Sequence, residues 1–347
     1  MLLELKDLKV SFDTYAGEVQ AVRGVSFSLD KGEVVALVGE SGCGKSVTAQ
    51  SVMGLLAKPA GRIKSGSIKI EGVEASGFSE KQWEGIRGKK IGMIFQDPMT
   101  SLNPTMTIGA QISEGLIRHQ GMNKKQALER AEEMLKLVEI PNVQERIHQY
   151  PHEFSGGMRQ RAMIAIALAC NPELVIADEP TTALDVTIQA QVLDLLKNLQ
   201  QKLETAVIII THDLGVVASI AQRVMVMYGG IIVEAGNLKD IYYEGKHPYT
   251  WGLMKSIPRL DRTKADELSP IEGTPPDLFA PPAGCPFADR CDWCMKVCKT
   301  DMPPLHKVSE THSVACWLLH DGAPKVESPL VPHGATGARK SKGARHV

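Results

Sequence analysis

The eight residues from Gly39 to Ser46, Gly-Glu-Ser-Gly-Cys-Gly-Lys-Ser, have the types and spacing to bind phosphate. They fit the pattern G-x-x-x-x-G-K-[ST], in which glycines let successive backbone N–H groups curl around phosphate oxygens. Lys45 can reach the outer phosphates and the Ser46 hydroxyl can bind Mg²⁺. An apolar run, residues 34–38, precedes the segment, so we expect a strand, a phosphate loop and then a helix whose N-terminus faces the anion. The predicted ligand contacts are Gly39, Ser41, Gly42, Cys43, Gly44, Lys45, Ser46 and Val47.

Two carboxylates follow another apolar run, Leu174-Val-Ile-Ala-Asp-Glu179. In phosphate-loop enzymes this arrangement is called Walker B. Asp178 is expected to hold Mg²⁺ directly or through water. Glu179 is expected to orient and deprotonate an attacking water molecule. By itself a strand ending in Asp-Glu-Pro is a common turn, but behind a phosphate loop it is the expected partner.

The seven cysteines are unevenly placed. Cys43 lies beside Lys45 among the loop N–H groups, which predicts a reactive thiolate. Cys170 follows the apolar residues 162–169 and is expected to be a buried core thiol. The other five crowd together, a distribution that in a cytosolic protein indicates metal binding more readily than disulfides. They are Cys285, Cys291, Cys294, Cys298 and Cys316.

The elements that must position these residues alternate between strands and helices. Continuous apolar runs at 34–38, 91–95, 174–177 and 206–210 predict buried strands. Between them, an apolar stripe along 188–203 predicts a helix, and Leu128, Ala131, Leu135 and Val138 share one face of another. The pattern favours an α/β core with a largely parallel sheet. Residues 98–161 carry no strand signal and are expected to form a helical insertion.

Composition limits the classes of function. The chain has 347 residues and a formal net charge of −1, so no basic field favours nucleic acid as a partner. It shows no apolar run of membrane-spanning length and no signal peptide, so we expect it to stay in the cytosol. We expect a nucleotide-binding domain at 1–257 and a small cysteine-rich appendage at 258–320, proline-rich and without clear periodicity. Residues 321–347 are expected to be a disordered tail.

Four further segments identify a family. Phe154-Ser-Gly-Gly-Met-Arg-Gln-Arg161 resembles the signature motif of ATP-binding cassette (ABC) ATPases. Gln96 resembles the Q-loop residue of that family, Thr182-Ala-Leu-Asp185 its D-loop, and His212 its switch histidine. The resemblance implies a P-loop NTPase core, an ABC ATPase fold, with a helical subdomain at about 98–161.

The resemblance also implies site roles. Ser155, Gly156 and Gly157 would bind the γ-phosphate of ATP held by a second subunit, so the ATPases would pair head to tail. The usual signature sequence is Leu-Ser-Gly-Gly-Gln, and this chain has Phe154 in place of Leu and Met158 in place of Gln. These two differences leave the residues implied to contact phosphate unchanged. The remaining implied roles are adenine stacking for Tyr15, with Phe12 as the alternative; Mg²⁺ binding for Ser46, Gln96 and Asp178; catalysis for Glu179, His212 and Gln96; and communication between subunits for Asp185.

The C-terminal third narrows the resemblance to the ATPase subunits of oligopeptide and dipeptide importers. The similar segments are 247–258, 271–276, 284–291 and 312–316, and similarity covers about residues 1–320. It implies a peripheral protein on the cytoplasmic face of the cell membrane. Implied partners are a second, related ATPase, so that the pair is a heterodimer, two permease subunits and an extracytoplasmic peptide-binding protein. A nickel importer of the same architecture is the alternative, and a soluble ABC protein acting on nucleic acid or ribosomes is the more distant one.

The same resemblance implies that Cys285, Cys291, Cys298 and Cys316 hold a [4Fe–4S] cluster, for which four thiolates suffice. Cys294 lies outside the family pattern and leaves open the set Cys285, Cys291, Cys294 and Cys298. Tetrahedral Zn²⁺, or no metal, remains an alternative. We expect a structural role, because this segment needs a staple to fold.

Overall fold

The computed structural model describes residues 1–182, 184–256 and 271–330, and within them the chain forms twelve strands and twelve α-helices. The strands are β1 (Leu3–Thr14), β2 (Gly17–Leu29), β3 (Val34–Val38), β4 (Gly61–Ile70), β5 (Val73–Glu74), β6 (Ile91–Ile94), β7 (Leu174–Asp178), β8 (Ala206–Thr211), β9 (Arg223–Tyr228), β10 (Ile231–Asn237), β11 (Leu305–Lys307) and β12 (Ser313–Ala315). The helices are α1 (Lys45–Val52), α2 (Glu80–Glu84), α3 (Pro98–Ser101), α4 (Ile108–Gln120), α5 (Lys124–Leu137), α6 (Val143–Arg146), α7 (Gly156–Leu168), α8 (Val186–Leu203), α9 (Leu214–Ile220), α10 (Leu238–Tyr242), α11 (Pro248–Lys255) and α12 (Lys296–Thr300).

Two sheets organise the molecule. The larger has eight strands in the order β11-β12-β10-β9-β3-β8-β7-β6, and its five strands from β9 to β6 run parallel. The smaller is antiparallel, in the order β2-β1-β4-β5. Every residue of β3, β7 and β8 is buried, as expected for parallel strands covered on both faces. The predicted α/β core with a largely parallel sheet is confirmed.

The large sheet separates two hydrophobic cores. Along β3, the side chains of Val34, Ala36 and Val38 join the core on one face, and those of Val35 and Leu37 join the other. This alternation follows from the two-residue period of a strand. The first core packs against the helices α4, α5, α7 and α8, and the second against the antiparallel sheet and α1.

Residues 98–161 contain helices and no strand, as the sequence indicated. Gly121, at φ +67°, ends α4, and the side chain of Asn123 caps α5 by accepting the Gln126 N–H. The sequence predicts Leu128 on the buried face of α5, but Leu128 is 38% exposed and its neighbour Ala127 is buried instead. None of the helices in the described residues has the length and apolarity that crossing a membrane requires.

The C-terminal region, predicted as a small appendage with little core of its own, contributes strands to the main sheet and packs against the main core. Strand β12 pairs with β10, placing Glu234 opposite Val314, and β11 extends the sheet further. Cys285 and Phe287 belong to the same hydrophobic core as the helices. Of the predicted disordered tail, residues 331–347 lie outside the described residues, whereas Leu330 packs against that core.

A buried hydrogen-bonded cluster fixes β12 on β10. Glu234 is fully buried, and its carboxylate accepts the N–H groups of Lys246 (2.7 Å) and His247 (3.1 Å). His312, 2% exposed, places Nε2 at 2.7 Å from the same carboxylate. This one side chain therefore joins β10, β12 and the segment that leads into α11.

Removing the His312 ring takes one hydrogen-bond partner from the buried Glu234 carboxylate. We expect His312→Ala to lower the free energy of unfolding by about 3 kcal/mol. Denaturant unfolding of the full chain measures this change. The exposed His148 provides a matched control, because His148→Ala is expected to change the same free energy by less than about 0.5 kcal/mol. Equal midpoints for the two variants would contradict the role given to His312.

Candidate functional site

The predicted phosphate loop connects β3 to α1, and its glycines are required by close packing. Gly39 has φ +151° and Gly44 has φ +98°, values that side chains disfavour. A Cβ at Gly39 would collide with the carbonyl oxygen of Met227, and one at Gly44 with that of Ala21. The loop is therefore pressed between the end of β9 and β2, which fixes the path of its backbone.

Lys45 begins α1 and points back into the loop. Its Nζ donates to the carbonyl oxygens of Gly39 (2.8 Å) and Glu40 (2.9 Å), and the residue is 5% exposed. A triphosphate would offer this ammonium charged acceptors, which form stronger hydrogen bonds than neutral carbonyls. The role of Lys45 at the outer phosphates stays a prediction.

Ser46 and Asp178, predicted as magnesium ligands, are in contact. The Ser46 hydroxyl donates to Oδ1 of Asp178 at 3.0 Å. Burial raises the pKa of Asp178, and the hydrogen bond from Ser46 acts in the opposite direction. A carboxylate and a hydroxyl are hard oxygen donors of the kind Mg²⁺ prefers, and a nearby cation would favour the ionised carboxylate.

Glu179 lies where three strand ends meet. Its Oε2 accepts hydrogen bonds from Gln96 Nε2 and Thr182 Oγ1, both at 2.9 Å, and its Oε1 is 3.4 Å from Nδ1 of His212. Its own N–H donates to the Ile210 carbonyl at 2.8 Å, and its φ is +47°. Gln96, Glu179 and His212 follow β6, β7 and β8, so parallel pairing brings the three predicted catalytic residues together.

Thr182 is the residue at this centre that sequence reasoning did not assign a role. It opens the segment resembling the D-loop, and only its position three residues after Glu179 signalled a contact. Together, Thr182 and Gln96 hold one carboxylate oxygen by two donors, which fixes the direction of the other. A carboxylate oriented in this way can accept a proton from water.

The signature residues lie at the start of α7. Ser155 caps this helix, its Oγ accepting the Met158 N–H at 3.3 Å, and Gly156 begins it. A Cβ on Gly157 would be 2.9 Å from Ile188, so α8 packs closely here. The Asp185 carboxylate caps α8 within its own chain, accepting the Ile188 N–H at 3.0 Å.

Two aromatic residues were candidates for adenine stacking. Tyr15, in the turn between β1 and β2, is fully exposed. Phe12 is partly buried against the core of the antiparallel sheet, and its ring leaves no room for a side chain at Gly61. The Tyr15 ring is thus the one free to stack on a base, and its role stays a prediction.

The predicted reactive thiolate at Cys43 is wrong. Cys43 is only 3% exposed, and its Sγ lies 3.8 Å from Nζ of Lys45. Burial raises the pKa of the Cys43 thiol, and the nearby Lys45 lowers it. The effect of burial is the larger of the two. Cys43 therefore packs beneath the loop in surroundings that favour the neutral thiol over the thiolate. Cys170 is buried, as predicted.

The four cysteines predicted as cluster ligands interact with one another. Burial, with a smaller contribution from neighbouring thiols, raises the pKa of Cys285 to about 11 and the pKa values of Cys291 and Cys316 to about 12. The Cys285 N–H donates to the Cys298 carbonyl at 2.7 Å. Cys294, like Cys291, is partly buried. Across the described part of the chain, however, no group of three or more His, Cys, Asp or Glu is arranged to hold a metal ion.

Comparisons with known proteins agree with this geometry. Residues 22–182 match the family model described as "ABC transporter", and residues 233–298 match "Oligopeptide/dipeptide transporter, C-terminal region". The oligopeptide transport ATP-binding protein OppD of Bacillus subtilis is 60% identical over 94% of this chain and 92% of its own. The dipeptide transport ATP-binding protein DppD of the same organism is 58% identical over 91% of this chain and 94% of its own.

A solved structure of a dimeric ATP-binding cassette in a post-hydrolysis state, bound to ADP and Pi, has the same fold. It superposes with a TM-score of 0.62 at 29% identity, covering 68% of this chain and 99% of its own. The matched regions include the phosphate loop, the Asp178–Glu179 strand end and part of the cysteine-rich segment. The chain belongs to the ATP-binding cassette family of transporter ATPases.

Proposed function

We propose that the chain is the ATP-hydrolysing subunit of an importer of dipeptides or oligopeptides, working at the cytoplasmic face of the cell membrane. The observation that carries the hydrolytic role is the convergence of Gln96, Thr182 and His212 on the Glu179 carboxylate. The match of residues 233–298 to the C-terminal region of peptide transporters supports the class of cargo.

In this proposal the phosphate loop and Lys45 bind the phosphates of ATP. Ser46 and Asp178, joined at 3.0 Å, hold Mg²⁺ together with Gln96. When bound, the cation neutralises charge on the phosphates and orients them. Glu179 takes the proton of the attacking water, and His212, on the other side of that carboxylate, contacts the γ-phosphate.

Hydrolysis requires a second subunit in this proposal. Ser155, Gly156 and Gly157 lie at the N-terminus of the thirteen-residue helix α7, where N–H groups and the helix dipole favour a phosphate. The phosphate would belong to ATP on a related ATPase paired head to tail, and Asp185 would transmit the state of one site to the other. The dimeric state of the solved cassette supports this arrangement.

The proposed complex also contains two permease subunits and an extracytoplasmic peptide-binding protein. The helices of residues 98–161 and the Gln96 loop would carry movement to the permeases. The nickel importer remains the second candidate, because the sequence similarity of its ATPases does not distinguish cargo. Binding of peptides or of Ni²⁺ by the partner binding protein separates the two.

We further propose that Cys285, Cys291, Cys298 and Cys316 hold a [4Fe–4S] cluster that stabilises the C-terminal region, with Zn²⁺ as the alternative. The mutual effect of these thiols on their pKa values supports the grouping, since it requires them to be near one another. The thiols would have to ionise to serve as ligands, and a cationic cluster would offset the repulsion among four thiolates.

Glu179→Gln removes the proposed base and keeps the shape of the side chain. We expect ATP and Mg²⁺ binding to persist and steady-state hydrolysis by the assembled transporter to fall about 10²- to 10⁴-fold. Glu173→Gln is the matched control, because Glu173 lies at the opposite end of β7 and pairs with Lys31. Near-normal turnover of Glu179→Gln would assign the base elsewhere.

The proposed cluster predicts colour and iron content. Purified without oxygen, the chain should be brown and contain about four irons. Cys316→Ser should lose the iron and loosen the region after residue 271, whereas Cys294→Ser should keep both. Zinc without iron would replace the cluster by the alternative metal, and iron loss on changing Cys294 but not Cys316 would show a different ligand set.

A further inference from the structure

A bidentate ion pair joins the C-terminal region to the phosphate loop. Nη1 of Arg290 is 2.6 Å from Oε2 of Glu40, and Nη2 is 3.0 Å from Oε1. Glu40 is the second residue of the phosphate loop, and Arg290 directly precedes Cys291 at the end of a short 3₁₀ helix. Two parallel charged hydrogen bonds of this kind are among the strongest and most directional in proteins.

The guanidinium of Arg290 is held rigidly. Nε donates to the Glu272 carbonyl at 2.8 Å and Nη2 to the Ile271 carbonyl at 2.9 Å. Nη1 also donates to the Tyr228 hydroxyl at 3.0 Å. The Arg290 side chain is 5% exposed, so its N–H groups donate to protein atoms. The guanidinium group therefore has little freedom to rotate away from Glu40.

Glu40 is fixed at three points. Its N–H donates to the Tyr249 hydroxyl at 2.7 Å, its carbonyl accepts from Lys45 Nζ at 2.9 Å, and its carboxylate binds Arg290. Tyr249, on α11, is fully buried against the ring of Phe287. The backbone beside Lys45 is thus held by groups distant in sequence.

The pair also controls charge. The Glu40 carboxylate belongs to the loop that would receive a polyphosphate anion, and Arg290 neutralises it at contact distance. Without Arg290, the Glu40 carboxylate, whose side chain is 28% exposed, would repel the incoming phosphates as a like charge.

We propose that Arg290 is a positioning residue for ATP binding, acting through Glu40 to hold the phosphate loop and to neutralise its carboxylate. This rests on the proposed role of the loop as the ATP site. It makes the segment from Cys285 to Cys291 part of the support of that site.

The test is the Kd of MgATP for the full chain, measured by calorimetry. Arg290→Gln is expected to raise the Kd at least about tenfold. In a Glu40→Gln background the same change is expected to alter it less than about twofold, since the two residues act as one unit. At saturating ATP, the kcat of the assembled transporter should stay within a few-fold, because Glu179 and its partners are untouched.

Arg23 supplies the matched control. It also ties the C-terminal region to the core, donating to the carbonyls of Pro282 (3.0 Å) and Gly229 (3.3 Å), and these bonds do not involve Glu40. Arg23→Gln should therefore leave the Kd within about twofold of the unaltered chain, even where the unfolding midpoint falls.

A second variant and a second measurement test the proposal if Arg290→Gln folds poorly. Arg290→Lys keeps the charge but cannot form two parallel bonds, so we expect faster amide exchange in residues 39–46 and a Kd raised about threefold. Unchanged Kd and exchange in both Arg290 variants, or an equal effect of Arg23→Gln, would overturn the proposal. Lys45→Ala tests separately whether the loop is the ATP site. If this variant retains ATP binding, the loop is not the ATP site, whatever the Arg290 variants show.

Discussion

Parallel pairing of buried strands is the constraint on which the site depends. Strands β3, β8, β7 and β6 lie side by side and run in one direction, so the residues that follow them emerge at one edge of the sheet. Asp178 ends β7, Glu179, His212 and Gln96 follow their strands within two residues, and Lys45 begins the helix that follows β3. The continuous apolar runs that bury these parallel strands on both faces therefore also bring the polar groups of the site together.

The C-terminal region, which joins the large sheet at β10, also contacts the site. Strands β10 and β12 connect the core to the C-terminal region through the buried pair of Glu234 and His312. The same region returns Arg290 to Glu40, beside the ammonium of Lys45. The cysteine-rich segment is thus packed into the nucleotide-binding core. Because Arg290 is adjacent to Cys291 and binds Glu40, a change at the cysteines would be felt at the phosphate loop.

The sequence could predict what local patterns and parallel topology decide. The phosphate loop, the Asp178–Glu179 strand end and the position of His212 followed from motifs at strand ends. Arg290 could not be found in this way, because Glu40 occupies a variable position of the loop pattern and its partner is 250 residues away. Cys43 was misjudged for a related reason: the motif shows Lys45 beside it, but burial depends on packing against other strands.

The most direct test of the account is a structure of the full chain with Mg²⁺ and a non-hydrolysable ATP analogue. The account predicts that Nζ of Lys45 leaves the carbonyl oxygens of Gly39 and Glu40 for the phosphates, and that Ser46 turns from Asp178 toward Mg²⁺. It also predicts that Arg290 and Glu40 remain paired. Phosphates bound away from residues 39–46, or an Arg290 guanidinium that has moved from Glu40 when the analogue binds, would contradict it.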